Sequence, residues 1–282
     1  MANLLISFII KRIYEENFNE IFVFTKPINF TIFKKLGFKL IYCDKDFGFF
    51  TNRYDYFEEY LVYLSEIHKK NNLSNSNNIS AIIMNANPFT KGHHYLVKTA
   101  SNNSDFVYII MVKEDISLFS YEQRKEMVKL ATKDIPNVFV VEGSNYLVSR
   151  NVFPSYFLSS PEQVIRSQII LDTNIFTNYI ACKLAIKTRY VGEEPFSYTT
   201  NLYNTIMKEI LFKSSIELVI LPRLIEDFKP ISATQVRKLF IQGNFKDMKK
   251  LVPITTLKFL QKLNYKKYAQ NPEISKLIDK SF

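Results

Sequence analysis

Thr90, Gly92 and His93 lie within four residues of one another, shortly after the apolar run Ile79 to Ile83. Asn87-Pro88 is a turn signal between the two. Thr90 is a good N-cap for a helix that follows. The first turn of a helix exposes N–H groups without intrahelical partners and a partial positive charge, which suits phosphate. Gly92 has no side chain, so phosphate oxygens can approach the backbone closely. Thr90 and His93 are three residues apart and share a face of that turn. A hydroxyl and an imidazole can therefore donate to the same phosphate group. The chain has three histidines, and two of them, His93 and His94, are here. The same residues also make an ordinary capped helix with two surface histidines, and the motif alone leaves both readings open.

A second candidate lies far downstream, in Ile231-Ser232-Ala233-Thr234-Gln235-Val236-Arg237. Pro230 and Ser232 precede a helix expected to run to about Gln242, with Gly243 as its C-cap. Ser232 and Gln235 match a capping box, so a well-built helix start explains part of the pattern. The chemistry it adds is Arg237, whose guanidinium near a helix start can grip the β and γ phosphates of a nucleotide bidentately. Ser232 and Thr234 supply hydroxyl donors. The chain lacks the Gly-x4-Gly-Lys-Ser/Thr pattern, which removes a P-loop. It also lacks GxGxxG, which weakens a dinucleotide-binding reading.

Bringing these two segments together is the task of the elements between them. Strands are expected over Ile79–Ile83, Asp105–Val112, Asn137–Val141, Thr188–Val191 and Ile216–Leu221. Helices are expected over Lys91–Ser101, Tyr121–Thr132, Pro161–Ile186 and Thr200–Leu211. The first helix would bury Tyr95, Leu96 and Ala100, and the second Met127, Val128 and Leu130. Strands alternating with helices predict a parallel sheet with crossover helices, an α/β Rossmann-like fold. Phe106 to Val112 is continuously apolar, as a strand buried on both faces should be. Ligands of such sheets bind beyond the carboxyl ends of the strands, and the first motif begins there.

The chain has 282 residues, is 47% hydrophobic and carries a formal charge of +10. That supports a real core and argues against disorder. The charge favours anionic partners, although a Lys- and Asn-rich composition drifts basic by itself. Cys43 and Cys182 form no metal or redox spacing, which fits a reduced, cytoplasmic protein. The apolar start, Met1 to Ile6, reads as a core helix or strand rather than a signal peptide. No apolar run approaches the roughly 20 residues that span a bilayer. Lys69 to Asn78 has Leu73 as its single apolar residue and reads as an exposed linker. The resulting division is residues 1–70, a linker at 71–79 and a larger domain at 80–282, expected to fold without the first part.

Thr90-Lys91-Gly92-His93 and Ile231-Ser232-Ala233-Thr234-Gln235-Val236-Arg237 resemble the T/HxGH and ISxTxxR motifs of the HIGH-superfamily nucleotidyltransferases, which split ATP between its α and β phosphates. Ala233 replaces a commoner Ser. Tyr190-Val191-Gly192-Glu193-Glu194-Pro195 can fill the place of that group's G-x-D/E element, with Glu194 at the acidic position. Asn85 to His93, Phe153-Pro154-Ser155-Tyr156-Phe157, Tyr190 to Phe196 and Thr199-Thr200-Asn201-Leu202-Tyr203-Asn204 further resemble the citrate (pro-3S)-lyase ligase family. Phe33-Lys34-Lys35-Leu36-Gly37-Phe38 resembles the helix, LGF, strand element of GNAT acetyltransferases. Residues 1–70 thus look like a reduced GNAT-like α+β domain. It lacks the glycine loop that cradles the CoA pyrophosphate, so a structural or docking role is favoured over acetyl transfer.

The resemblance implies a reaction. Acetate attacks ATP to give acetyl-adenylate and pyrophosphate, and the thiol of a CoA-like prosthetic group on the acyl-carrier subunit of citrate lyase then displaces AMP. Thr90, His93 and Arg237 would be catalytic. Asn85, Asn87, Phe89, Lys91, Gly92, Gly192, Glu194, Ser232 and Thr234 would bind the nucleotide. Mg²⁺ is expected on the triphosphate, held mainly by phosphate oxygens and water, and its protein ligands are unknown. Neither nucleic acid nor membrane is an expected partner. Two other classes stay open at this point: a nucleotidyltransferase acting on a phosphate-bearing small molecule, and a non-catalytic protein that docks on a partner.

Overall fold

Five short apolar runs form the central sheet of the computed structural model, which describes residues 2–71, 73, 78–113, 117–147, 160–193, 198–270, 274 and 278. An N-terminal part precedes the sheet. It comprises α1 (Ala2–Glu15), β1 (Phe22–Thr25), a 3₁₀ turn (Pro27–Asn29), α2 (Phe30–Lys35), β2 (Lys39–Cys43), β3 (Gly48–Thr51) and α3 (Tyr54–Lys70). Its strands pair antiparallel in the order β1-β3-β2. Gly37, at φ +87, ends α2 in a left-handed turn that only glycine adopts freely. Phe38 N–H then bonds back to Phe33 O at 3.0 Å.

The larger part runs β4 (Ile79–Met84), α4 (Lys91–Asn102), β5 (Phe106–Met111), α5 (Tyr121–Thr132), β6 (Val138–Glu142) and α6 (Pro161–Ile175). A π-helical turn (Phe176–Ala181), α7 (Cys182–Leu184), β7 (Thr188–Gly192), α8 (Tyr198–Lys213) and β8 (Glu217–Leu221) follow. After a two-residue hairpin pair, β9 (Ile225–Glu226) and β10 (Lys229–Pro230), come α9 (Ala233–Ile241), α10 (Phe245–Leu251), α11 (Ile254–Lys262) and α12 (Tyr265–Ala269). The sheet order is β6-β5-β4-β7-β8, and every pair is parallel. This is the expected α/β, Rossmann-like parallel sheet, and its strand order makes it doubly wound. Chain order reverses between β4 and β7, the switch point where such sheets bind ligands.

Period-two alternation divides the sheet between two cores. Ile82, Met84, Val107, Ile109, Met111 and Tyr190 face α4, α5 and α9 to α11. Ile79, Ala81, Tyr108, Ile110 and Val141 face the opposite way, against α6, α8 and the N-terminal part. Phe24, Ile41, Phe49, Phe57 and Leu64 belong to that second core. Tyr146 Oη donates to Glu20 Oε1 at 2.7 Å and to Arg53 O at 3.0 Å, and Tyr179 Oη donates to Ile41 O at 2.8 Å.

Side chains from residues 1–70 and from the larger part belong to one buried core. The packing corrects several expectations. Leu73, expected in an exposed linker, is 2% exposed and packs in that shared core. The apolar start, expected as a core helix or strand, is a helix but not a core one: Asn3, Ser7, Lys11, Arg12 and Glu15 interrupt its apolar residues, and Leu4, Leu5, Phe8 and Ile9 are exposed. Leu130 and Tyr95 also lie at the surface, while Met127, Val128, Leu96 and Ala100 are buried. The single helix expected over 161–186 contains the π turn. Both cysteines are free and exposed. No helix of the described residues is long and apolar enough to cross a membrane.

Candidate functional site

After β4 the chain turns sharply. Ala86 adopts φ +50, a left-handed conformation that a non-glycine residue keeps only where its surroundings over-determine it. Two buried arginines flank this turn. Arg124 of α5, fully buried, donates from Nη1 to Asn85 O at 2.8 Å, to Asn85 Oδ1 and to Val112 O at 3.0 Å. Its Nε donates to Phe119 O at 3.2 Å. Arg237 of α9, 2% exposed, donates from Nη1 to Asn87 O at 2.6 Å, from Nε to Ile278 O at 2.8 Å and from Nη2 to Thr234 Oγ1 at 2.9 Å. Asn85 Nδ2 donates to Ser117 Oγ at 3.1 Å, and Asn87 Oδ1 accepts from Phe119 N–H at 3.2 Å. The loop is thus fixed before any ligand arrives.

Thr90 then caps α4 through a reciprocal capping box with His93. Thr90 Oγ1 accepts from His93 N–H at 3.3 Å, and His93 Nδ1 accepts from Thr90 N–H at 3.0 Å. An accepting Nδ1 puts the imidazole proton on Nε2. Burial pushes the His93 pKa down to about 4, and the nearby Arg223 guanidinium pushes it the same way. The imidazole is therefore neutral at pH 7 and can serve only as a neutral N–H donor. Phe89 is fully buried and stacks against the His93 ring at 5.6 Å, backing it rather than meeting a ligand.

A cavity of about 360 Å³ opens over the switch point. Of the expected residues, Asn85, Asn87, Thr90, Gly92, His93, Gly192, Ser232, Thr234 and Arg237 line it. Phe89 and Lys91 do not, and Glu194 lies outside the described residues, as does the Phe153–Phe157 segment. The two distant motifs share one wall, joined by the Arg237–Asn87 bond. A Cβ on Gly92 would meet only Thr90 Oγ1, at 3.5 Å, so protein packing does not require glycine there. The capping box expected from Ser232 and Gln235 does not form. Ser232 makes no capping bond, and Gln235 is exposed. Arg237 shares the packed face of α9 with Val236 and Phe240, which explains why its guanidinium is buried among protein acceptors.

Three arginines at or beside the cavity escaped the sequence reading. Arg124 stands three and four residues before buried Met127 and Val128, so its position on an apolar helix face was a usable signal. Arg223 follows β8, lines the cavity and is held by its Nε to Glu193 O at 2.9 Å. Arg189 interrupts the apolar β7 and is 3% exposed.

A family model described as the citrate lyase ligase C-terminal domain matches residues 79–260. The chain belongs to the citrate lyase ligase family. It is 35% identical over 256 residues to the Escherichia coli K12 citrate (pro-3S)-lyase ligase, covering 89% of this chain and 71% of that one. The Klebsiella pneumoniae citrate (pro-3S)-lyase ligase is 36% identical over 255 residues, with 89% and 73% covered. Among solved structures, Thermotoga maritima TmcAL bound to α-thio-ATP aligns with 65% of this chain and 55% of its own, at 12% identity and a TM-score of 0.41. The fold assignment rests on the strand order rather than on that likeness. As a family member the chain is a ligase, and its site has to account for a ligase reaction.

Proposed function

We propose that this ligase activates acetate with ATP and passes the acetyl group to the thiol of a CoA-like prosthetic group on the acyl-carrier subunit of citrate lyase. One observation carries the reading: in a chain of this family, both phosphate-suited motifs line one cavity at the sheet's switch point. An acetate oxygen attacks the α phosphorus, the bridging bond to the β phosphate breaks, and pyrophosphate leaves. The thiol sulfur then attacks the acetyl carbonyl, the bond to AMP breaks, and the thiol proton goes to solvent.

Catalysis of this kind is mostly positioning and charge stabilisation. His93 Nε2–H and the backbone N–H groups at the start of α4 are suited to the α phosphate. Glycine at position 92 weakens a helix and is not demanded by packing, which supports a ligand passing close to the backbone. Ser232 and Thr234 would bind the leaving phosphates. Arg237 would work at one remove, fixing the geometry of both motifs, and Arg223 would supply the cation the phosphates meet. Among the described residues no group of three metal-ligating side chains gathers. A Mg²⁺ would be carried on the triphosphate's own oxygens and supply charge neutralisation there. Residues 1–70 we assign to docking and support. The test is exchange of labelled pyrophosphate into ATP with a panel of small carboxylates. Acetate-dependent exchange without carrier protein is expected. Exchange that ignores acetate and requires a phosphorylated acceptor would overturn the proposal.

A further inference from the structure

The cavity continues past the two motifs, across the switch point and onto the other face of the sheet. There β7 contributes Arg189, β4 contributes Ile83, α6 contributes Gln168 and Asp172, and α8 contributes Met207. Alternation along β7 sets this side. Tyr190 packs against the α4 and α9 core, Val191 against the opposite one, and Arg189 shares the side of Val191.

Arg189 is out of place in a strand core. It is 3% exposed, its Nη2 meets Asp172 Oδ2 at 3.5 Å, and its guanidinium carbon lies 4.6 Å from the centre of the Phe176 ring. Nε and Nη1 have no hydrogen-bond partner, and Arg189 is the one charged side chain with such buried atoms among the described residues. Gln168, Asp172 and Phe176 recur every four residues, so one face of α6 turns toward it. Phe176 opens the π turn, and such turns are frequent at functional sites. Leaving charged donors unmet inside a protein is costly, and the fold alone gives no reason to carry that cost.

We propose that this inner end is the subsite for a short-chain monocarboxylate, with Arg189 as its counter-ion. The proposal rests on the reading that the ligase activates acetate. Nε and Nη1 together carry three N–H donors, and the Arg189–Asp172 separation is longer than a charge-assisted hydrogen bond. A second, acceptor-rich anion matches those donors. Asp172 orients the guanidinium, and Gln168 adds an amide donor. Ile83, Leu147 and Met207 are apolar and close the space around a methyl group. The subsite thus recognises a charged head and restricts the tail, and it belongs to the same cavity as the motifs that would receive the triphosphate.

Removing Arg189 alone leaves Asp172 buried without its cation and risks the fold. The working variant is therefore the double substitution Arg189→Met with Asp172→Asn, accompanied by Met207→Ala. Two measurements are needed on the full chain: binding of [¹³C]acetate by NMR titration without ATP, and acetate- and ATP-dependent exchange kinetics. The double variant should weaken acetate binding and raise the acetate KM by about 10- to 100-fold, the worth of a lost charged hydrogen bond. Its ATP KM should stay within about twofold of wild type, because the triphosphate wall is untouched. Met207→Ala should shift kcat/KM from acetate toward butyrate. Unchanged acetate binding in a folded double variant would overturn the subsite. If the wild type binds acetate through Arg189 yet supports no exchange, the subsite stands and the proposed reaction fails.

Discussion

Replacing Arg237 by Met separates two roles that a sequence motif conflates. The guanidinium donates to Asn87 O, Ile278 O and Thr234 Oγ1 and is 2% exposed. Methionine fills much of the volume but donates nothing. The Asn87 and Ile278 carbonyls would be left without these donors, at about 1–3 kcal/mol each. Some relaxation and water entry will recover part of this, so a net loss of about 2–4 kcal/mol is expected. For a chain of this size that lowers the melting temperature by roughly 3–7 °C. Because Asn87 belongs to the loop that leads into α4, adenylate formation should fall as well, by about a hundredfold or more. Thermal denaturation and ATP–pyrophosphate exchange on one preparation separate the effects. A variant with the wild-type melting temperature, normal ATP-free structure and abolished exchange would refute the reasoning, and would mean that Arg237 acts on the phosphates directly.

His93→Ala should behave oppositely, losing about a hundredfold in exchange rate for a cap-sized stability change of about 1 kcal/mol. A large melting shift with a near-normal rate would make it only a cap. The depressed His93 pKa has a defined sign. Below pH 6.5 the unfolded chain takes up a proton that the folded chain refuses until about pH 4. His93 therefore contributes stability that is fully present above pH 6.5 and lost as pH falls toward 4, and a titration difference between wild type and His93→Asn across that window checks it. Deleting residues 1–70 should give an insoluble or molten fragment, since Tyr108, Ile110 and Val141 lose their cover; a cooperative unfolding transition in the 80–282 fragment would contradict this. If the +10 charge steers the carrier, raising salt should depress thioester formation well before it depresses acetate-dependent exchange. The Debye length shrinks from about 10 Å at 0.1 M to about 3 Å at 1 M, and a parallel decline of the two rates would remove the steering role.

The sequence by itself determined the sheet, its parallel strands, the Thr90 cap and the two motifs, because these are local patterns of apolar periodicity and turn chemistry. Strand ends fell within a residue or two, and α5 spans Tyr121 to Thr132 as expected. Tertiary structure decided which side chains face which partners. Whether Arg237 points at phosphate or carbonyl depends on Asn87, 150 positions away along the chain, and no helical spacing encodes that. Arg124 finds its acceptors only where the chain leaving β4 and β5 places the Asn85 and Val112 carbonyls around it. Leu73 looked like linker because a single apolar residue has no periodicity. Arg189 and Asp172 are 17 residues apart, on a strand and a helix that meet only when the crossover closes. Local propensity reads from neighbours in sequence, while burial and charge pairing are properties of surfaces that folding brings together.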